Sequence, residues 1–220
     1  MLQGRSHPQV NAIAGGSTKI QIRQIVKTMI YLASASPRRC ELLRQLGVEF
    51  EAMPSNILEV RQAGELPADY VLRVARDKAQ FVAKLVNERG LPVFPVLGAD
   101  TEVVLDGEIL GKPQDRAHGM ALLRRLTGRT HEVLSAVCVV DQGNEHTALS
   151  ISRVTFSPLT ETEIAQYWDT GEPADKAGAY AVQGKAAAFI ERLEGSYSGV
   201  MGLPLHELAG ILKKIGKGAT

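Results

Sequence analysis

The sequence predicts an α/β fold: a mixed central sheet flanked by helices, with two lobes around a substrate cleft. Three observations carry this expectation. Short apolar runs bounded by Gly, Pro or Asp alternate with amphipathic helical stretches. Two long strand-like stretches, "THEVLSAVCVVD" and "TALSISRVTFS", flank the turn "QGN". No internal repeat or low-complexity linker interrupts the chain, and 220 residues with 45% hydrophobic content suffice for one packed unit.

The elements follow in order. Residues 29–33, "MIYLA", read as a buried strand. Ser36 is a good helix N-cap and Pro37 suits the first helical position, so a helix begins there and ends at Gly47. Arg38 and Arg39 occupy its first turn, where the helix dipole disfavours positive charge. Such a pair is either solvated on a surface helix or aimed, with the free backbone amides, at an anion such as phosphate. "VEFEAM" reads as a strand stopped by Pro54. The longest helical pattern runs from Pro67 to about Glu88, with Val71, Val74, Ala75, Ala79, Val82, Ala83 and Val86 on one stripe. Lys78 lies on that same stripe, where snorkelling is the commoner behaviour of a lysine and pointing into a cleft the rarer one.

"VFPVLGAD" is an apolar run expected to end a central strand at Asp100, beyond which ligands bind in open α/β sheets. A turn or cap role is the commoner one for such an aspartate. "TEVVLDGEIL" then reads as a hairpin around Asp106-Gly107. Residues 114–126 form an amphipathic helix ended near Gly128. Thr160 and Glu163 make a capping box for a helix to about Trp168. A glycine-rich stretch, "KAGAYAVQGKAAAF", precedes a final helix from about Pro204 to Ile215.

Composition excludes several classes. No apolar run approaches the roughly 18 to 20 residues of a membrane span, and 5% aromatic content offers no stacking platform for single-stranded nucleic acid. The net charge is +1, but residues 1–28 hold Arg5, Lys19, Arg23 and Lys27 without an acid. The remainder has 21 basic and 24 acidic residues, a net of −3. A body of that sign does not attract polyanions in general, so phosphate binding requires a local cluster. Residues 1–28 lack a secretory h-region and read as an extension outside a single domain spanning 29–220. Cys40 and Cys138 read as free thiols of a reducing compartment, the cytoplasm, with no nucleic-acid or membrane partner.

Familiar motifs are absent: no GxxxxGK[ST], GxGxxG, HExxH, GxSxG or paired CxxC occurs, and His7, His118, His131, His146 and His206 lack ligand spacing. What remains is Arg38, Arg39, Lys78 and Lys112 with Glu59 and Asp100. That is the inventory for a polyphosphate and a hard divalent cation, Mg²⁺ or Mn²⁺.

Six stretches, "LASASPRRCELLRQLGVEF", "YVLRVARDKA", "LGADTEVVLDGEILGKP", "LTGRTHEV", "DKAGAYAVQG" and "GSYSGVMGLPL", together resemble the Maf family of nucleoside triphosphate pyrophosphatases over nearly all of residues 29–213. The resemblance implies a Maf/ITPase-like fold, a divalent metal cofactor and a homodimer. It also implies an activity, the hydrolysis of dTTP and UTP, with modified pyrimidine nucleotides as further substrates, to the monophosphate and pyrophosphate. By the same resemblance Ser36, Arg39, Lys78 and Lys112 contact phosphates, Glu59 is associated with the metal, and Asp100 is either the general base or a metal carboxylate. Arg38, Thr101 and Gln183 fall at positions that set substrate specificity. They argue against the 7-methyl-GTP branch, while a nucleotide-binding regulator of septum formation is the non-enzymatic alternative. One departure stands out: Leu58 replaces an acid that often precedes the glutamate in the family, which implies weaker metal affinity.

Overall fold

A computed structural model describes residues 29–217; the reading of residues 1–28 as an extension lies outside the described residues. The chain begins with β1 (Met29–Leu32), α1 (Pro37–Gln45) and β2 (Glu49–Ala52), followed by the long helix α2 (Pro67–Glu88). β3 (Val96–Leu105) and the short β4 (Glu108–Ile109) form a hairpin, and α3 (Arg116–Leu126) leads into β5 (Thr130–Asp141) and β6 (Asn144–Phe156). After α4 (Glu161–Trp168), three short 3-10 turns span 172–188. β7 (Ile190–Glu194), α5 (Tyr197–Met201) and α6 (Leu205–Lys214) complete the fold.

The strands make one seven-stranded sheet in the order β2-β1-β3-β5-β6-β7, with β4 on β3. β1 is parallel to β2 and β3, and every other pairing is antiparallel. The expected mixed sheet is therefore present. Both hairpin turns carry left-handed backbone at two successive residues, Asp106-Gly107 and Gln142-Gly143, the twist that two-residue hairpins require.

Each face of the sheet buries its own core. α2 covers one face, packing Val71, Ala75, Ala79, Val82 and Val86 against Tyr31, Val96, Leu134 and Cys138. On the other, α1, α3, α4 and α6 enclose Leu32, Leu97, Val137, Phe156 and Leu203. Gly98 fixes how closely α2 lies on β3: a Cβ there would sit 2.1 Å from the Ala75 carbonyl oxygen and 2.7 Å from the Ala79 nitrogen. Only glycine admits that approach.

Several sequence expectations are met closely. Ser36 caps α1 with Pro37 at its first position, and α2 has the expected limits. The Thr160/Glu163 capping box is complete. Cys40 and Cys138 are free thiols, and among the described residues no helix is long and apolar enough to cross a membrane.

Other expectations are corrected. Asp100 does not end a strand: β3 continues through it to Leu105, because "TEVVL" alternates well enough to extend the ladder with β5. β6 starts at Asn144, three residues before Thr147. β7 and α5 escape the sequence reading altogether. "IERLE" is a polar edge strand that bulges at Glu191, and α5 is a single short turn of helix capped by Ser196.

Candidate active site

The site opens where β1 stops. β1 pairs with β3 only through Tyr31↔Val96 and Leu32↔Leu97, and Ala33 N–H makes a last bond to the Leu97 carbonyl at 2.8 Å. Beyond that point the chain turns into α1, and this edge of β3 is left uncovered until β4 pairs at Val104. A cavity of about 500 Å³ fills the gap. Ser36, Arg38, Arg39, Glu59, Lys78, Asp100, Thr101, Lys112 and Gln183, drawn from separate segments, all line it.

Period-two alternation along β3 places Gly98, Asp100 and Glu102 on the face toward α2. The Gly98 contact holds α2 down at Ala75 and Ala79, so Lys78, on the same helical stripe, reaches Asp100. Its Nζ lies 2.8 Å from Asp100 Oδ1 and 3.0 Å from Glu59 Oε1. Lys78 is buried and turned inward, which corrects the snorkelling expectation. An ammonium this buried requires compensating charge, and the two carboxylates supply it. Asp100 is 4% exposed and its Oδ2 is buried without a hydrogen-bond partner.

Across the cleft, Ser36 Oγ accepts the Arg39 N–H at 3.5 Å, and Ser34 Oγ accepts the Ser36 N–H at 3.1 Å. Arg39 donates through Nε to the Gly202 carbonyl at 2.9 Å and through Nη1 to Ser34 Oγ at 3.3 Å. These partners orient the guanidinium without neutralising it. Burial lowers the Arg39 pKa from its ordinary value, against the attraction of Asp100 and Glu59. Burial lowers Arg38 in the same way, against Asp175. Both remain cations at neutral pH, because arginine starts far above it. Thr101 points to the opposite face of β3, its hydroxyl 2.8 Å from Ser135 Oγ. Lys112 and Gln183 are exposed at the rim.

One cleft residue escapes the sequence reading: Glu102. Burial first, then the Asp100 and Glu59 carboxylates, push its carboxyl up to about 8, partly offset by Lys78 and Lys112. Its Oε2 is buried and unpartnered. The signal was available, since residues i and i+2 of a strand share a face. Expecting the strand to end at Asp100 hid it. His131, by contrast, is a core residue: it is buried, lies 2.8 Å from the Tyr180 hydroxyl and stacks edge-on with Phe156.

The cleft therefore has Arg39, fixed by neutral partners, and Arg38 on one wall and a lysine-bridged carboxylate pair on the other. That arrangement can hold a polyanion and present a carboxylate to water beside it. The sequence agrees with this geometry. The family model described as "Maf-like protein" matches residues 29–215. A dTTP/UTP pyrophosphatase of Cupriavidus pinatubonensis is 54% identical over 191 residues, covering 84% of this chain and 96% of that one. One from Alkalilimnicola ehrlichii is 54% identical over 184 residues, with 83% and 91% covered. One from Dechloromonas aromatica is 49% identical over 195 residues, with 85% and 97% covered. A match of this extent, over the residues that build both sheet and cleft, makes the chain a member of the Maf family.

Proposed function

We propose that this protein hydrolyses dTTP and UTP at the α–β phosphoanhydride bond, giving the nucleoside monophosphate and pyrophosphate. The observation that carries the reading is the Asp100–Lys78–Glu59 bridge lining one cavity with Arg38 and Arg39 at the start of α1. The names of relatives at about half identity support the pyrimidine preference.

In this scheme Arg38, Arg39 and Ser36 bind phosphate oxygens at the helix N-terminus, and Lys112 approaches from the rim. Lys78 holds the Asp100 carboxylate through Oδ1, leaving Oδ2 without a hydrogen-bond partner. A water beside the Asp100 carboxylate, oriented and deprotonated there, attacks the α-phosphorus, and pyrophosphate leaves against the arginines and lysines. Catalysis is then chiefly positioning and charge stabilisation. Arg38, Thr101 and Gln183 read the nucleotide.

The family also implies a divalent cation, and the donors fit one: hard carboxylate oxygens, with Asp100 Oδ2 unsatisfied. Among the described residues no three His, Cys, Asp or Glu side chains enclose a metal by themselves. That suits Mg²⁺ or Mn²⁺, which bind through one or two carboxylates plus water and substrate phosphates. Asp100 and Glu59 would hold the ion, which when bound offsets the charge developing on the phosphate oxygens. Residues 29–220 form the catalytic unit in this proposal, acting as a cytoplasmic homodimer, so a chain lacking residues 1–28 keeps its turnover and sediments as a dimer.

The test is pyrophosphate release with Mg²⁺ or Mn²⁺ from dTTP, UTP, CTP, GTP, 7-methyl-GTP and ATP, with Asp100→Asn alongside. Release from dTTP and UTP that disappears in the variant is expected. Free phosphate as the product, or preference for 7-methyl-GTP, would overturn the scheme.

A further inference from the structure

We propose that Glu102 is a metal-ligating residue of this cleft, acting beside Asp100. The inference rests on the reading of the cleft as a divalent-cation-assisted nucleotide site and deepens it. Four observations converge on Glu102. It lies two residues from Asp100 on one strand, so both carboxyl groups leave the same face of β3 and line the same cavity. Each retains a buried oxygen without a hydrogen-bond partner, Asp100 Oδ2 and Glu102 Oε2.

The buried lysine is already committed elsewhere, since Lys78 Nζ sits on Asp100 Oδ1 and Glu59 Oε1, and Lys112 is exposed at the rim. Finally, Leu58, the apolar neighbour of Glu59, is 85% exposed and absent from the cavity lining, so that position adds no ligand to the cleft.

Two buried carboxyl groups lining one cavity cannot both ionise without a large free-energy cost unless something positive joins them. A neutral hydrogen-bond donor would satisfy one oxygen at a time, whereas a hard cation satisfies both and takes its remaining ligands from water and phosphate. β3 thus supplies two carboxylates to the site, Asp100 and Glu102, beside Glu59 from its loop. Strand residues are held by the sheet, so the pair is preorganised before nucleotide arrives. The cleft should accordingly bind Mn²⁺ alone.

The experiment is a Mn²⁺ titration of the full chain without nucleotide, read by loss of the free-ion electron paramagnetic resonance signal. Wild type, Glu102→Gln, Glu102→Asp, Asp100→Asn and the double variant Leu58→Glu/Glu102→Gln are compared, with thermal melts confirming that each is folded. Glu102→Gln and Asp100→Asn should each raise the Mn²⁺ Kd by roughly tenfold to a hundredfold, the range typical of damage to a metal site. Glu102→Asp should recover part of the loss. Leu58→Glu added to Glu102→Gln should recover none, because position 58 faces solvent.

Equal Mn²⁺ affinity in wild type and Glu102→Gln, tight or weak, would overturn the proposal. If wild type still releases pyrophosphate from dTTP in that case, only the role of Glu102 fails. If no nucleotide is cleaved, the reading of the cleft fails first.

Discussion

Lys78 shows how a single residue's environment inverts its usual behaviour. Its side chain and that of Asp100 are both nearly solvent-free and 2.8 Å apart, so each makes the burial of the other tolerable. Removing one partner of such a pair strands a charge, at a cost of about 3 to 5 kcal/mol. Lys78→Met should therefore lower the unfolding free energy by that order, and Lys78→Met/Asp100→Asn should be more stable than Lys78→Met alone. Denaturant titration of the three chains decides this; additive losses would show that the pair is not coupled. Arg39 differs, since its partners are the Gly202 carbonyl and Ser34 Oγ. Arg39→Ala should cost little stability but about 1.5 to 3 kcal/mol of transition-state binding. Steady-state assays with dTTP should show kcat/KM reduced roughly tenfold to more than a hundredfold, and an unchanged value would remove Arg39 from phosphate binding.

Among the elements, the contact of α2 with β3 decides whether the site exists. The apolar stripe of α2 gives the helix its orientation, and Gly98 sets its distance by letting the Ala75 carbonyl approach. Because Lys78 lies one turn beyond Ala75, any displacement at Gly98 is passed to the Lys78–Asp100 pair. Gly98→Ala puts a methyl group into backbone rather than into a yielding side chain. It should destabilise by at least the 1 to 3 kcal/mol typical of overpacking and reduce turnover as well. A Gly98→Ala chain with wild-type melting temperature and kcat would show that this contact is not what positions Lys78. The uncovered edge of β3 is the complementary feature: β1 stops at Leu32, so the strand that carries Asp100 and Glu102 faces a cavity instead of a neighbour.

At the scale of the whole molecule, the stability of the core depends on pH through His131. Burial lowers its pKa to about 4 from an ordinary 6.5. The unfolded chain therefore binds a proton at higher pH than the folded one does. The stability associated with a neutral His131 is complete above about pH 6.5 and is lost as pH falls toward 4, on the order of 3 kcal/mol. Denaturant titrations between pH 7 and pH 4 should show that slope, and His131→Phe should flatten it while losing the hydrogen bond to Tyr180. An unaltered slope in the variant would assign the acid limb to other groups.

The sequence by itself determined what local chemistry specifies. The cap at Ser36, the apolar stripe of α2, the capping box at Thr160 and the glycine turns at 107 and 143 each depend on residues within a few positions of one another. Through the ordered motifs that resemble the Maf family it also named nine residues that all line the cleft. It did not reveal β7, a polar edge strand that exists only because β6 offers it an edge, nor the extension of β3 past Asp100, which depends on pairing with β5. Which way Lys78 turns, and whether Glu102 belongs to the site, depended on the close approach of α2 to β3 and on where β1 ends. Those are distances between segments far apart in the chain. Burial and charge pairing take their energies from such distances, so the tertiary structure alone decided them.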